Sequence, residues 1–351
     1  MLRRLLKNFR WGVLPVPGRL IAVIFFAALF IIPLIIPIPP YHMLVLTFTS
    51  IFAMFAVSWD FLSGYTGQVN FGHALFFGVG AYCSALLHKY LGWQPGVTIP
   101  IGAIVATLTG VVTCFPALRL RGPYLSLLTM AFPLMLLGLV IAFKDITGGE
   151  YGIMGLPPIA ATGTAQYYIC LIVMTVAVLI MWKLTDAKSK YVRTGLIFHA
   201  IREDEIAARA SGINTIRYKL LAFAIGGLFA GIAGALYVHV LGIAGPSTLV
   251  LTMSFQAVIW VAFGGIVSIY GPIVGVLILY TLLHFLGVGG QTFIGRNQML
   301  IMSIVVILIL LFMPEGVAVW VRNKIERECP RCKLTNAAWR KECRACGASL
   351  H

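Results

Sequence analysis

The sequence predicts an all-α polytopic membrane protein of about ten transmembrane helices (eight to ten as the range), with both termini cytoplasmic and a small cysteine-rich domain at the C-terminal end. Three observations carry that expectation: composition, the length of the apolar windows, and the sidedness of lysine and arginine. Hydrophobic residues fill 60% of the 351 positions and charged residues 11%, with a mean hydropathy of +0.95. Soluble domains carry about a quarter charged residues, so this chain is built for lipid.

Windows of roughly 20 apolar residues, the length that crosses a hydrocarbon core of about 30 Å, fall at 20–38, 43–62, 72–90, 97–116, 123–142, 166–183, 219–242, 248–267, 271–288 and 297–313. The third opens with Phe71-Gly72-His73 and holds Gly78 and Gly80, a composition open to a broken or re-entrant helix. Lipid tolerates irregular backbone only where protein or a water-filled path surrounds it. With the N-terminus inside, 23 of the 26 Lys and Arg residues fall on the cytoplasmic side, and Lys89, Lys144 and Arg296 fall outside, as the positive-inside rule asks. The net charge of +15 is then read as basic loops beside anionic membrane lipid, with no nucleic acid expected. Arg3, Arg4, Lys7 and Arg10 precede the first window with no small-residue cleavage site, which predicts an uncleaved first span.

Small residues recur at helix–helix spacing: Gly227 with Gly231, flanked by Gly226 and Gly234, and Gly271 with Gly275. Such pairs predict close approach of membrane helices. Two stretches break the hydrophobic pattern: Thr185 to Lys219, and the tail beyond Val321. In the first, the residues from Phe198 onward read as one short helix. Glu203, Asp204 and Glu205 suit its early part, Glu205 and Arg209 form an i, i+4 pair, and Gly212 before Asn214 is a stop. By periodicity alone, this helix either lies on lipid or transmits force from a docked soluble partner.

Glu205-Ile206-Ala207-Ala208 followed by Gly212 resembles the loop by which permeases of ABC importers fit into a cleft of the ATPase subunit. The longer string from Ala200 to Asn214 is similar to branched-chain amino-acid permeases of the LivM type. So are Ser63 to His73 running into Gly78–Tyr82, Leu120-Arg121-Gly122-Pro123-Tyr124, Thr147-Gly148-Gly149, and Phe312-Met313-Pro314-Glu315-Gly316. These segments stand in the family's order over roughly residues 20 to 320. The resemblance implies a permease domain over 1–320 with a coupling loop at 185–218, in which Arg202, Glu205, Ala207, Ala208 and Gly212 engage the ATPase. It also implies the partners: a second related permease, ATP-binding subunits and an extracytoplasmic solute-binding protein, all serving import across the cytoplasmic (inner) membrane. No phosphate loop occurs, and no Gly precedes a Lys anywhere in the sequence, so nucleotide belongs to another chain.

Ser63, Gly64, Tyr65, Gln68, Asn70, Gly72 and His73 gather polar groups and glycines at a helix break, and read equally as pathway lining or as capping of that break. Asp60 is the one acid placed inside a span, a turn from its cytoplasmic end, where a structural or interfacial role is expected. His239 and His284 are expected as hydrogen-bonded core residues. The outer loop from Lys144 to Gly152 reads as a reverse turn or as a contact for the binding protein.

Cys83, Cys114 and Cys170 stand singly in spans. Cys329, Cys332, Cys343 and Cys346 form two Cys-x-x-Cys knuckles, the spacing of structural zinc, within a ribbon over 325–351. A redox pair is the lesser alternative in a reducing compartment. Four Cys ligands leave no open position for catalysis, and no nucleophile, base and open metal site come together elsewhere, so an enzyme is not expected. Branched-chain amino acids are the expected cargo; urea, amides or another small organic solute would use the same machinery. The rival from another class is an ATP-independent channel or anchor that recruits partners through the ribbon.

Overall fold

The computed structural model describes residues 17–35, 37–117, 120, 123–186, 193–287, 297–331, 335–343, 346 and 348–349. The basic N-terminal residues, Arg121-Gly122 and Cys332 lie outside the described residues. Every apolar window contains a helix: α1 (Pro17–Ile35), α2 (Pro40–Trp59), α3 (Ala74–Leu91), α4 (Pro95–Ala117) and α5 (Pro123–Ala142). A short α6 (Lys144–Thr147) precedes α7 (Gly163–Thr185), and α8 (Thr194–Glu203) and α9 (Glu205–Ala210) form the central loop. Then come α10 (Thr215–Leu241), α11 (Leu251–Gly264), α12 (Tyr270–Gly287), α13 (Gln298–Phe312) and α14 (Val317–Ile325). Among the described residues, six helices are long and apolar enough to cross a membrane: Pro40–Gly64 (α2 with its extension), α3, Pro95–Thr113 of α4, α5, α7 and α10. The 14-residue α11 rises only about 21 Å, shorter than the window that predicted it, because the chain turns at Gly265 with φ 122°.

Local signals set the helix ends. Pro40 opens α2 at its first turn, where the missing N–H costs nothing. Gly92 and Gly242 end α3 and α10 in the left-handed conformation that glycine adopts without strain.

The core is built around α2, of whose membrane window 89% is buried against 22% for α5. Helices α7, α10, α11 and α12 surround it. Glycines allow backbone contact: a Cβ at Gly80 would strike the Gly231 carbonyl, one at Gly234 the Phe77 carbonyl, and one at Gly275 the Trp260 carbonyl. The predicted small-residue pairs therefore pack α10 on α3 and α4, and α12 on α11. The outward faces of α4, α5 and α13 are apolar, with Leu108, Val112, Leu127, Met135, Leu311 and Phe312 all exposed. That is the surface a bilayer covers.

Two expectations change. The third window is an unbroken helix; the irregular stretch lies before it, at residues 65–73, after a π-helical turn at Asp60–Gly64. Gly78 and Gly80 serve packing there, Gly78 against Leu249. The central loop holds two helices, divided at Asp204, whose extended backbone (φ −153°, ψ 106°) makes it the N-cap of α9. Of the two roles expected for Asp60, the structure shows the structural one: it is fully buried and hydrogen-bonded.

At the end of the bundle remote from Asp60, the outer loop is an ordered structure rather than a bare turn. Strand β1 (Ile153–Met154) pairs antiparallel with β2 (Ile243–Ala244). Lys89 Nζ donates to the Ile146 carbonyl at 2.9 Å. Past α14, β3 (Glu326–Glu328) pairs antiparallel with β4 (Thr335–Ala337). The Ala338 N–H donates to the Ile325 carbonyl at 2.7 Å, joining this hairpin to α14 without a linker.

Candidate functional site

Breaking a helix frees backbone donors and acceptors that a dry interior must satisfy. Residues 65–74 meet that demand with side chains. Trp59 Nε1 donates to the Asn70 carbonyl at 2.6 Å, and the Asn70 N–H donates to Ser63 Oγ at 3.2 Å. The Gly72 N–H donates to Asn70 Oδ1 at 2.7 Å. From α5, Thr129 Oγ1 accepts from the Phe71 N–H at 3.1 Å and Ser126 Oγ donates to the Val69 carbonyl at 3.0 Å. From α11, Ser254 Oγ accepts from the Ala74 N–H at 2.8 Å.

The seven residues singled out at the break therefore divide by environment. Ser63 caps a freed amide. Gly64 leaves room for the Asp60 carboxyl, and Gly72 lets the chain meet the Thr129 carbonyl. Tyr65 packs its ring on His199 of α8, with centroids 5.6 Å apart. Gln68, Asn70 and His73 are different: each is buried, and each holds a polar atom (Oε1, Nδ2 and Nδ1) with no hydrogen-bond partner among the described residues. Asn70 cannot be flipped, because its Oδ1 accepts from Gly72. For His73, Ser58 gives its only proton to the Phe55 carbonyl at 2.7 Å. His73 Nε2 lies 2.9 Å from the same Ser58 Oγ, which leaves Nδ1 as the ring nitrogen without a partner among the described residues. A buried polar atom without a partner is costly, and three such atoms lie along this one segment.

The central loop packs directly on this break. Phe198 and Phe61 meet edge to face at 5.5 Å, and the Arg202 side chain covers Gly67, whose φ of 71° requires glycine. In α9, Asp204 Oδ1 accepts from the Ile206 and Ala207 N–H groups at 2.8 and 3.0 Å. The helix closes in a Schellman turn: the Ile213 N–H bonds the Ala208 carbonyl and the Gly212 N–H the Arg209 carbonyl, with Gly212 at φ 82°. Ala208 is buried, while Arg202, Ala207 and Gly212 are exposed and Ile206 is 65% exposed. Glu205 turns inward, pairing with Arg209 at 2.5 Å and with Lys219 of α10 at 2.8 Å. The structure thus brings the loop residues and the break together. It adds Phe198, His199 and Lys219, which no local sequence pattern marks.

His239 is bonded as expected: Nδ1 donates to the Pro157 carbonyl at 2.9 Å, and Nε2 lies 2.9 Å from Ser84 Oγ and 3.2 Å from Thr98 Oγ1. His284 Nδ1 lies 2.8 Å from the Tyr280 carbonyl.

In the tail, the sulfurs of Cys329, Cys343 and Cys346 lie within 4.8 Å of one another, with Cys329 and Cys346 at 3.5 Å. Tetrahedral zinc with Zn–S bonds of about 2.3 Å sets its sulfurs roughly 3.8 Å apart, so the cluster fits that ion. Asn336 Nδ2 donates to Cys343 Sγ at 3.5 Å, the kind of outer contact that steadies a thiolate ligand.

A family profile described as "Branched-chain amino acid transport system / permease component" matches residues 42–311. The chain belongs to this permease family. It is 27% identical over 325 residues to the high-affinity branched-chain amino acid transport system permease protein LivM of Escherichia coli K12, covering 84% of this chain and 72% of that protein. The LivH permease of the same organism is 25% identical over 295 residues, 77% of this chain and 92% of LivH. A probable LivM of Methanocaldococcus jannaschii is 23% identical over 274 residues, 67% of this chain and 78% of that protein. No solved structure matches the chain at comparable significance. The permease is thus a multi-pass protein of the inner membrane, a transport component rather than an enzyme.

The Glu205 brace responds to acid with a definite sign. Burial pushes its carboxyl up, but the hydrogen bonds and charges of Lys219 and Arg209 outweigh burial and hold it below its ordinary value of 4.5. Its contribution is therefore complete above pH 4.5 and is lost as pH falls through the depressed value. Hydrogen exchange over residues 205–219, corrected for intrinsic rate, should show protection falling in that acid range, and Glu205→Gln should remove the pH-dependent part. The same acid profile in wild type and variant would contradict the brace.

Proposed function

We propose that this permease is the membrane subunit of an ATP-driven importer that carries branched-chain amino acids inward across the cytoplasmic membrane. Its ten apolar windows are read as ten crossings with both termini in the cytoplasm. It works beside a second related permease, two ATP-binding subunits and an extracytoplasmic solute-binding protein. The single observation that carries this reading is the packing of the central loop on the broken helix: Phe198 on Phe61, and His199 on Tyr65. Ile206, Ala207 and Gly212 are exposed on and just after α9, which follows directly on α8, so a force applied there passes through α8 to the break. The occurrence of both LivM-like and LivH-like relatives supports a paired permease.

Solute passage is assigned to the break, with Gln68, Asn70 and His73 as its polar contacts. Gln68 Oε1 and His73 Nδ1 accept hydrogen bonds from an ammonium, and Asn70 Nδ2 donates one to a carboxylate. Such uncharged groups bind a zwitterion weakly enough to release it. Ser63, Gly64, Tyr65 and Gly72 support the break and let loop movement reach it. In the ribbon, Cys329, Cys343 and Cys346, together with Cys332, would hold zinc as a structural ion that fixes the tail.

The tagged chain purified in mild detergent should bring down an ATPase with a phosphate loop and a second permease in near-equal amounts. Liposomes holding that complex should accumulate labelled leucine only with ATP and binding protein. A chain that emerges alone in several detergents points to the channel or anchor reading instead. For the tail, elemental analysis of the purified chain should give about one zinc per chain, lost in Cys343→Ser. Full zinc in that variant would remove the ribbon assignment.

A further inference from the structure

We propose that Asp60 is a positioning residue that ties the broken helix to the turn between α11 and α12, so that movement of the central loop is delivered to that second helical hairpin. The inference rests on the import reading above. Asp60 stands at the start of the π-helical turn and is fully buried. Its Oδ1 accepts from the Val267 N–H at 2.9 Å and its Oδ2 from the Ser268 N–H at 3.2 Å. A carboxylate accepts on both oxygens and suits this pair of donors.

The turn it holds does not stand by itself. Val267 has φ 62°, the left-handed region that a β-branched residue avoids. Such a conformation persists only where its surroundings over-determine it. On another side, Gly316 lies against the backbone of Gly264 and Gly265, and Val319 of α14 packs on Gly265. The carboxyl fits beside its own helix only because Gly64 carries no side chain: a Cβ there would strike Oδ1. The stem of Arg202 in the central loop covers Gly67, three residues beyond the π-helical turn. One carboxyl thus joins the broken helix to the α11–α12 turn, on the same segment that the coupling loop covers at Gly67.

The test compares wild type, Asp60→Asn and Gly64→Ala in the complex with its ATP-binding subunits, reconstituted in liposomes. Asparagine keeps the size but turns an NH2 toward one of the two amides, whereas Gly64→Ala keeps the carboxyl and displaces it. Hydrogen exchange of the peptide covering residues 265–268 should rise about tenfold or more in both variants, the factor that goes with losing a buried hydrogen bond. Peptides from α2 and α10 should exchange as in wild type. Uptake per ATP hydrolysed should fall by about fivefold or more, the low end of ordinary coupling between sites, with hydrolysis retained. Unchanged exchange at 265–268 overturns the proposal, as does a parallel fall of uptake and hydrolysis with loosened core peptides, the mark of a merely structural residue. A wild-type complex that hydrolyses ATP without moving solute removes the import reading, and this proposal with it.

Discussion

The structure depends on how the backbone groups freed between Asp60 and Ala74 are satisfied without water. A helix interrupted inside a membrane protein exposes several N–H and C=O groups at once, and each one left alone in a dry interior costs on the order of 1–3 kcal/mol. Here the partners come from separate helices: Trp59 and Ser63 beside the break, Ser126 and Thr129 from α5, and Ser254 from α11. The break therefore fastens three parts of the bundle to one another. Moving it must move those helices, or exchange these bonds for others.

Close packing makes the arrangement stiff enough to carry a push. Glycines 80, 231 and 234 bring α10 onto α3 at backbone contact, and Gly264, Gly265 and Gly316 stack the α11–α12 turn on the start of α14. Packed interiors deform little and shift between discrete arrangements instead. A loop seated on Phe61, Tyr65 and Gly67 is then placed to select between two arrangements of the break. The three polar atoms of Gln68, Asn70 and His73 that find no partner among the described residues lie along this same segment.

Much of this was legible in the sequence because its signals are local. Apolar windows mark the helices, Gly227 and Gly231 mark a close crossing, and Gly212 marks the end of α9. The division at Asp204 was legible too, since an aspartate followed by Glu205-Ile206-Ala207 is an N-cap signal; reading the acidic run as one early helical turn concealed it. The role of Asp60 was not legible. Its partners Val267 and Ser268 lie 207 and 208 residues away, and nothing near Asp60 separates a snorkelling carboxylate from one that caps a remote turn. The length of α11 was hidden likewise, because hydropathy runs on through the glycine turn that ends the helix.

The central claim is that the loop and the broken helix move as one body. The most direct measurement joins them at an exposed pair beside the Arg202–Gly67 contact: Val69→Cys and Arg202→Cys, linked by a short bifunctional thiol reagent in the reconstituted complex, followed by ATP-driven uptake. The account predicts uptake close to that of the unlinked double variant, since the link spans two surfaces that stay together through the cycle. Uptake that stops on linking and returns when a cleavable link is cut would show that the loop slides over the break, and would contradict the account.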